Sequence, residues 1–241
     1  MIRRFLLMLT VLALAGGCSS TPSTTTIADI PTTTTTFGIT STIPEPTTTT
    51  LPQAALEIRA AFDGYVAALA AADGRSALSY VDSGTLDLYG ELLQLAAAPV
   101  HVDEMDFIDA VLVVRLRFRF SEQELALLTA EDVFVTAIDE ALLISTPGER
   151  INFDAFNITD DQATGEVRGS PAMWFAREDG KWKVALGRAY EEYAPVLSVQ
   201  LEQAAHDIAG ADAGRADSLL GLLSTIEGTG IDPALLAGPR P

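Results

Sequence analysis

Apolar and polar positions alternate with two different periods along this chain. Behind Pro52, the positions Leu56, Arg59/Ala60, Phe62/Asp63, Val66, Leu69 and Ala70 recur at three- and four-residue spacing until Asp73-Gly74, which predicts a helix over that stretch. A second helix is expected from about Arg75 to Val81. A third runs from Thr85 to Ala98 and ends before Pro99. Ser121 with Glu124, and Thr129 with Asp132, have the spacing of capping boxes and predict two further helices, the second over AEDVFVTAIDEALL. The period then changes to two. Strands are expected at Ile151–Ile158, Ala163–Arg168, Ala172–Arg177 and Lys181–Leu186. Asp179-Gly180 is a favoured two-residue hairpin turn, because both positions accept positive φ, and its register sets Glu178 opposite Lys181, Phe175 opposite Val184 and Met173 opposite Leu186. From Glu191 to Leu236 helical spacing returns, with a break near Gly210 to Gly214. Helices followed by an antiparallel sheet make an α+β fold, with a C-terminal helical extension.

The first fifty residues belong to neither pattern. Arg3 and Arg4 precede an apolar run from Phe5 to Ala15, too short for a membrane-spanning helix, which needs about 20 residues. This is the form of a secretory signal peptide. Ala15, Gly16 and Gly17 lead into Cys18, the only cysteine in the chain. That junction resembles the bacterial lipobox, although Ala15 stands where leucine is usual and the leucine is Leu14. The resemblance implies cleavage before Cys18 and acylation of its thiol. Residues 1–17 would then be signal, and the protein would be a lipoprotein held at the extracytoplasmic face of the cell membrane. Two or three acyl chains give a stable anchor where one is marginal, since each buried CH₂ contributes about 0.8 kcal/mol. The alternative is an ordinary secreted protein with a stray thiol. With one cysteine no intramolecular disulfide can form.

From Ser19 to Pro52 the chain is mainly Thr, Ser and Pro, and its only charged residues are Asp29 and Glu45. Such a segment buries too little surface to offset its ordering entropy, so residues 18–52 are expected to be a disordered tether. It would reach about 30 Å as a coil and about 100 Å drawn out. Residues 53–241 are numerous enough for one domain with a full core.

Charge narrows the partners. The chain carries a net charge of −18, and loss of Arg3 and Arg4 with the signal leaves 13 basic against 33 acidic residues, a net charge of −20. A surface of that sign repels phosphates, so nucleic acid is excluded as a partner class. Thirteen of the fifteen basic residues are arginine, and three of these fall in VRLRFRF, Val114 to Phe120. As a strand, this segment would turn Arg115, Arg117 and Arg119 to one face, where three guanidinium groups could bind a carboxylate or phosphate ligand. As part of a helix over EMDFIDAVLVVRLRF, only Arg115 and Arg119 share a side, and the arginines would pair with the chain's own carboxylates. Both readings of residues 105–120 stay open at this level.

His101 and His206 stand apart from any other ligand type at metal spacing, so no metal or cofactor is expected. There is no glycine-rich phosphate loop, nucleophile elbow or triad order. The segments AAADGRSALSYV, SEQELALLTAEDVFVTAID and WFAREDGKWKVAL together resemble the nuclear transport factor 2-like superfamily over residues 53–188, most specifically in the hairpin Phe175–Val184. The resemblance implies a curved sheet wrapped around a long helix as a cone, followed by the extension at 189–241. It implies no single activity, because the superfamily holds both enzymes and non-enzymatic binding or scaffold domains. Asp63, Tyr65, Tyr80, Tyr89, Asp103 and Asp106 have the side-chain types that its enzymes place inside the cone, but none aligns with a recognised catalytic pair. The expectation is therefore a non-enzymatic module binding a small molecule or an envelope protein. A cyclase- or isomerase-type enzyme and an assembly module acting as an oligomer are the alternatives, the latter as a homodimer because sheets of this superfamily often pair.

Overall fold

Pro52 has no amide hydrogen to leave unpaired at a helix start, and its carbonyl accepts from the Ala55 and Leu56 amides to open α1 (Gln53–Ala70). A computed structural model describes residues 52–140, 151–210 and 212–241. Cys18, the Thr/Pro tract and the expected continuation of a helix into residues 141–143 lie outside the described residues. Helix α1 stops through Ala72, which takes a left-handed conformation (φ 50°), while the Asp73 amide reaches back to the Ala68 carbonyl. Gly74 has a different duty. A Cβ there would strike the Val135 carbonyl of a later helix, so its bare backbone permits that approach.

Helix α2 (Gly74–Leu78) is capped by Asp73, whose carboxylate accepts from the Ser76 amide. It ends three residues before the expected Val81. The reason is tertiary: Val81 bridges Val184 in parallel, the Val184 amide donates to the Tyr80 carbonyl, and the Asp82 amide donates to the Val184 carbonyl. Asp82 then caps α3 (Ser83–Ala97) through the Thr85 amide and hydroxyl. A 3-10 turn at Val102–Glu104 leads to α4 (Phe107–Arg119). Residues 105–120 thus resolve as helix. Ten of the thirteen residues of α4 are buried, so it runs through the middle of the molecule and has no wide polar face to betray a helical period. Both expected capping boxes are present, Ser121–Glu124 on α5 (Glu122–Leu125) and Thr129–Asp132 on α6 (Ala130–Asp139).

The sheet is an antiparallel meander in the order β1 (Ala155–Thr159), β2 (Gln162–Val167), β3 (Ser170–Glu178), β4 (Lys181–Val184). Asp179 (φ 51°) and Gly180 (φ 75°) make the expected turn, and Glu178 faces Lys181 and Phe175 faces Val184 as predicted. The third expected pair fails. Leu186 is the first residue of α7 (Leu186–Ala209), and Met173 faces Gly165 instead. The strand ends because the Leu186 amide is taken by the Thr85 hydroxyl, which itself donates to Asp82. Helix α8 (Arg215–Glu227) and a final 3-10 turn at Pro233–Leu236 complete the chain.

Helix α1 covers one face of the sheet. Phe62 of α1 meets Phe153 edge-on at 5.0 Å, and Phe153, Phe156 and Phe175 continue the contact. Gly165 is bare because the Phe153 ring occupies the space of a Cβ, at 2.6 Å. Helices α3, α4, α7 and α8 form the rest of the core. Leu219, Leu222, Leu223, Leu235 and Leu236 belong to the same buried cluster as Phe62 and Phe175, so α8 and the last turn are inside the fold. No helix of the described residues is long and apolar enough to cross a membrane.

Candidate functional site

Within α4, the three arginines diverge as the helix geometry requires. Arg115 and Arg119 share a side and converge on one carboxylate: Arg115 Nε reaches Glu227 Oε1 at 2.8 Å and Arg119 Nη2 reaches Oε2 at 2.7 Å. The Glu227 side chain is 4 % exposed and that of Arg119 is 38 % exposed. Burial pushes the Arg115 guanidinium below its ordinary value, and Glu227 opposes that shift. Arg117 points the other way and is fully buried. Its guanidinium donates to the carbonyls of Leu95, Ala96, Ala98 and Val100, at and just beyond the C-terminus of α3, and to those of Leu235 and Leu236 in the last turn. The structure therefore does not gather the three arginines at one surface, and each donates to at least one acceptor of the chain itself.

The other candidate side chains are also dispersed. Tyr65 and Tyr89 are core residues whose hydroxyl pKa values burial raises. Tyr80 lies against Gly64, while Asp63, Asp103 and Asp106 are exposed. His101 pairs with Asp103 at 3.1 Å, and His206 lies on α7 beside α8. One polar pair escaped the sequence reading: the Tyr190 hydroxyl of α7 donates to Asp109 of α4, and burial followed by that bond raises the Tyr190 pKa. Among the described residues no group of three or more His, Cys, Asp or Glu side chains could hold a metal ion.

A groove of about 370 Å³ opens on the sheet face opposite α1, toward the lower end of the roughly 300–1,000 Å³ usual for small-molecule sites. The strand register builds its floor. Asn157 faces Thr164, Thr164 faces Trp174, and Thr159 faces Gln162, so alternation places these five side chains on one surface while Phe156, Ala163 and Phe175 point to the core. Trp174 is half-buried, its ring edge-to-face with Tyr193 at 5.3 Å. The wall comes from the first turns of α7. Gly187 is bare there because a Cβ would meet the Gly84 carbonyl, and this close crossing of α3 and α7 brings Arg188 and Glu191 to the rim.

What distinguishes the groove is which groups remain uncommitted. Asp82 at its inner end is spent on Thr85, Glu178 on the Ser83 amide and hydroxyl, and Lys183 on the Val81 carbonyl. Asn157, Thr159, Gln162 and Thr164 make no side-chain hydrogen bond among the described residues, and Arg188 and Glu191 make no ion pair there. The alternation of polar residues in NITDDQAT was the available signal for this floor. It could not be used from the sequence, because the pairing of three strands and the return of α7 assemble the site. Comparison with protein-family models, curated proteins and solved structures finds no match to this chain.

Proposed function

We propose that this protein is a membrane-anchored extracytoplasmic lipoprotein, tethered through Cys18 and the Thr/Pro segment, whose α+β domain is a non-enzymatic binding module with its site on the outer sheet face. The single observation that carries the binding reading is the groove at Trp174, where a half-buried indole and several uncommitted hydrogen-bonding side chains line one concavity. Its free ionisable groups, Arg188 and Glu191, form no acid–base pair in contact, and neither histidine lines it. The helix α1 lying against the sheet supports a finer reading of the fold as a nuclear transport factor 2-like cone. The interior that such a cone would offer is filled by Phe62, Phe153, Phe156 and Phe175, which favours the opposite face for binding.

The anchor is tested by expressing the full chain and its Cys18→Ser variant in a bacterium, fractionating the cells and measuring intact mass. The wild type is expected in the membrane with the mass of an acylated chain beginning at Cys18, and the variant as unprocessed precursor or released protein. Equal membrane retention and an unmodified wild-type mass overturn the anchor. The non-enzymatic reading fails if the protein turns over a substrate and Arg188→Ala or Glu191→Gln abolishes that turnover.

A further inference from the structure

The groove at Trp174 also constrains the chemistry of its ligand, an inference that rests on the groove being the binding site. An anionic ligand needs converging cations, as phosphate sites show. Arg188 is the one cation lining the groove among the described residues, and it shares the concavity with Glu191 and Asp82 on a chain of net charge −18. A wholly apolar ligand would leave buried polar groups unpaired here, because two amides and two hydroxyls stand beside Trp174 and Ala176 on the floor. An extended peptide held by strand addition would run along the outer edge of β1, whereas most of this lining is side chains on the sheet's face and on the first turns of α7.

Hydroxyl groups match what remains. Amide and threonine side chains each offer a donor and an acceptor, the pattern that a hydroxyl also presents, so Asn157, Thr159, Gln162 and Thr164 can each pair with a sugar hydroxyl in either sense. The indole supplies an apolar plate for the C–H face of a pyranose ring and stands on the same surface, one strand from Thr164. We propose that this groove binds a neutral saccharide, with Trp174 as the stacking plate and the amides and hydroxyls of β1 and β2 as its hydrogen-bonding partners.

The test uses the full-length acylated protein in detergent micelles. An array of neutral oligosaccharides is probed first, with tri-alanine, inorganic phosphate and a fatty acid as control ligands in solution. Affinity for the best saccharide is then measured by isothermal titration calorimetry for the wild type and each variant, while tryptophan emission in a Trp182→Phe background, which keeps Trp174 as the one remaining indole, reports whether the ligand meets Trp174. The expected result is a saccharide that changes Trp174 emission, with affinity reduced about tenfold or more by Trp174→Ala and several-fold by Gln162→Ala or Asn157→Ala. The last two positions are exposed, so they keep the test intact should Trp174→Ala fail to fold. Saccharide binding that none of these substitutions weakens overturns the site. Binding of a control ligand but no saccharide, weakened by the same substitutions, overturns the ligand class and leaves the groove as a binding site. If nothing on the array and none of the controls binds at millimolar concentration, both the ligand class and the groove's binding role are overturned.

Discussion

Arg117 keeps its positive charge in the core against carbonyl oxygens alone. Desolvation lowers its pKa, but an arginine begins so far above neutrality that the side chain stays protonated. The arrangement is favourable because the last carbonyls of α3 have no helical amide to accept from, and they lie at the negative end of the helix dipole. The planar fork of five donors reaches two separate segments at once, which an ammonium group on a shorter stem does not. Arg117→Met leaves buried carbonyls unpaired and is expected to cost about 3–5 kcal/mol, roughly 6–20 °C in Tm by thermal denaturation. Arg117→Lys should recover only part of this. A lysine variant that melts with the wild type would refute the role of the fork. The sequence made this arginine conspicuous, but its partners lie 17 to 119 positions away, so nothing local in VRLRFRF could distinguish a carbonyl clamp from a ligand site. The alternation that suggested a strand arises because positions 115 and 119 fall on one side of a helix while 117 lies roughly 200° around from 115.

Helix starts were legible because their determinants sit within four residues of each other. The Thr129 amide and hydroxyl both donate to the Asp132 carboxylate, at 3.0 and 2.7 Å, while the Asp132 amide donates back to Thr129 Oγ1. The hydroxyl bond first, and the amide bond second, hold the Asp132 carboxyl below the ordinary aspartate value. A carboxylate whose folded pKa is depressed contributes stability that is fully present above its unfolded value, about 4, and is lost as pH falls through the depressed one. Asp132→Asn should therefore melt below the wild type at pH 7, with the difference shrinking as the pH falls below about 4. A difference that stays constant as the pH falls would show that the charge of Asp132 plays no part. Element ends governed by distant groups were not legible. The exit from α2 is set by Val184, more than a hundred residues on, and the end of β4 by the Thr85 hydroxyl, so no local pattern announces either. The polar floor at Asn157, Gln162 and Thr164 is hidden for the same reason: alternation shows that these residues face away from the core, and only the assembled strands show that they face one another.

At the scale of the whole molecule, the segment after residue 188 reads in the sequence as a helical extension that follows the α+β segment at 53–188. The packing makes it part of the core. The boundary at 188 falls inside the first turn of α7, and α8 with the last turn supplies five leucines to the common cluster. At about 1.5–3 kcal/mol for each fully buried leucine, these contribute on the order of 8–15 kcal/mol, comparable with the entire net stability of about 5–15 kcal/mol typical of a folded domain. Two buried cations depend on the same segment, since Glu227 is the counter-charge of Arg115 and the Leu235 and Leu236 carbonyls accept from Arg117. Removing α8 and the last turn would expose the apolar faces of α4 and α7 that pack on them and strand both guanidinium groups at once. A chain ending at Ala209 is therefore expected to lack a cooperative thermal transition and near-ultraviolet circular dichroism, whereas the full chain melts in a single step. A truncated chain that retained both signals would mean that the sheet, α1 and α3 form a core sufficient without α8, and that the arginines of α4 tolerate water in place of their partners.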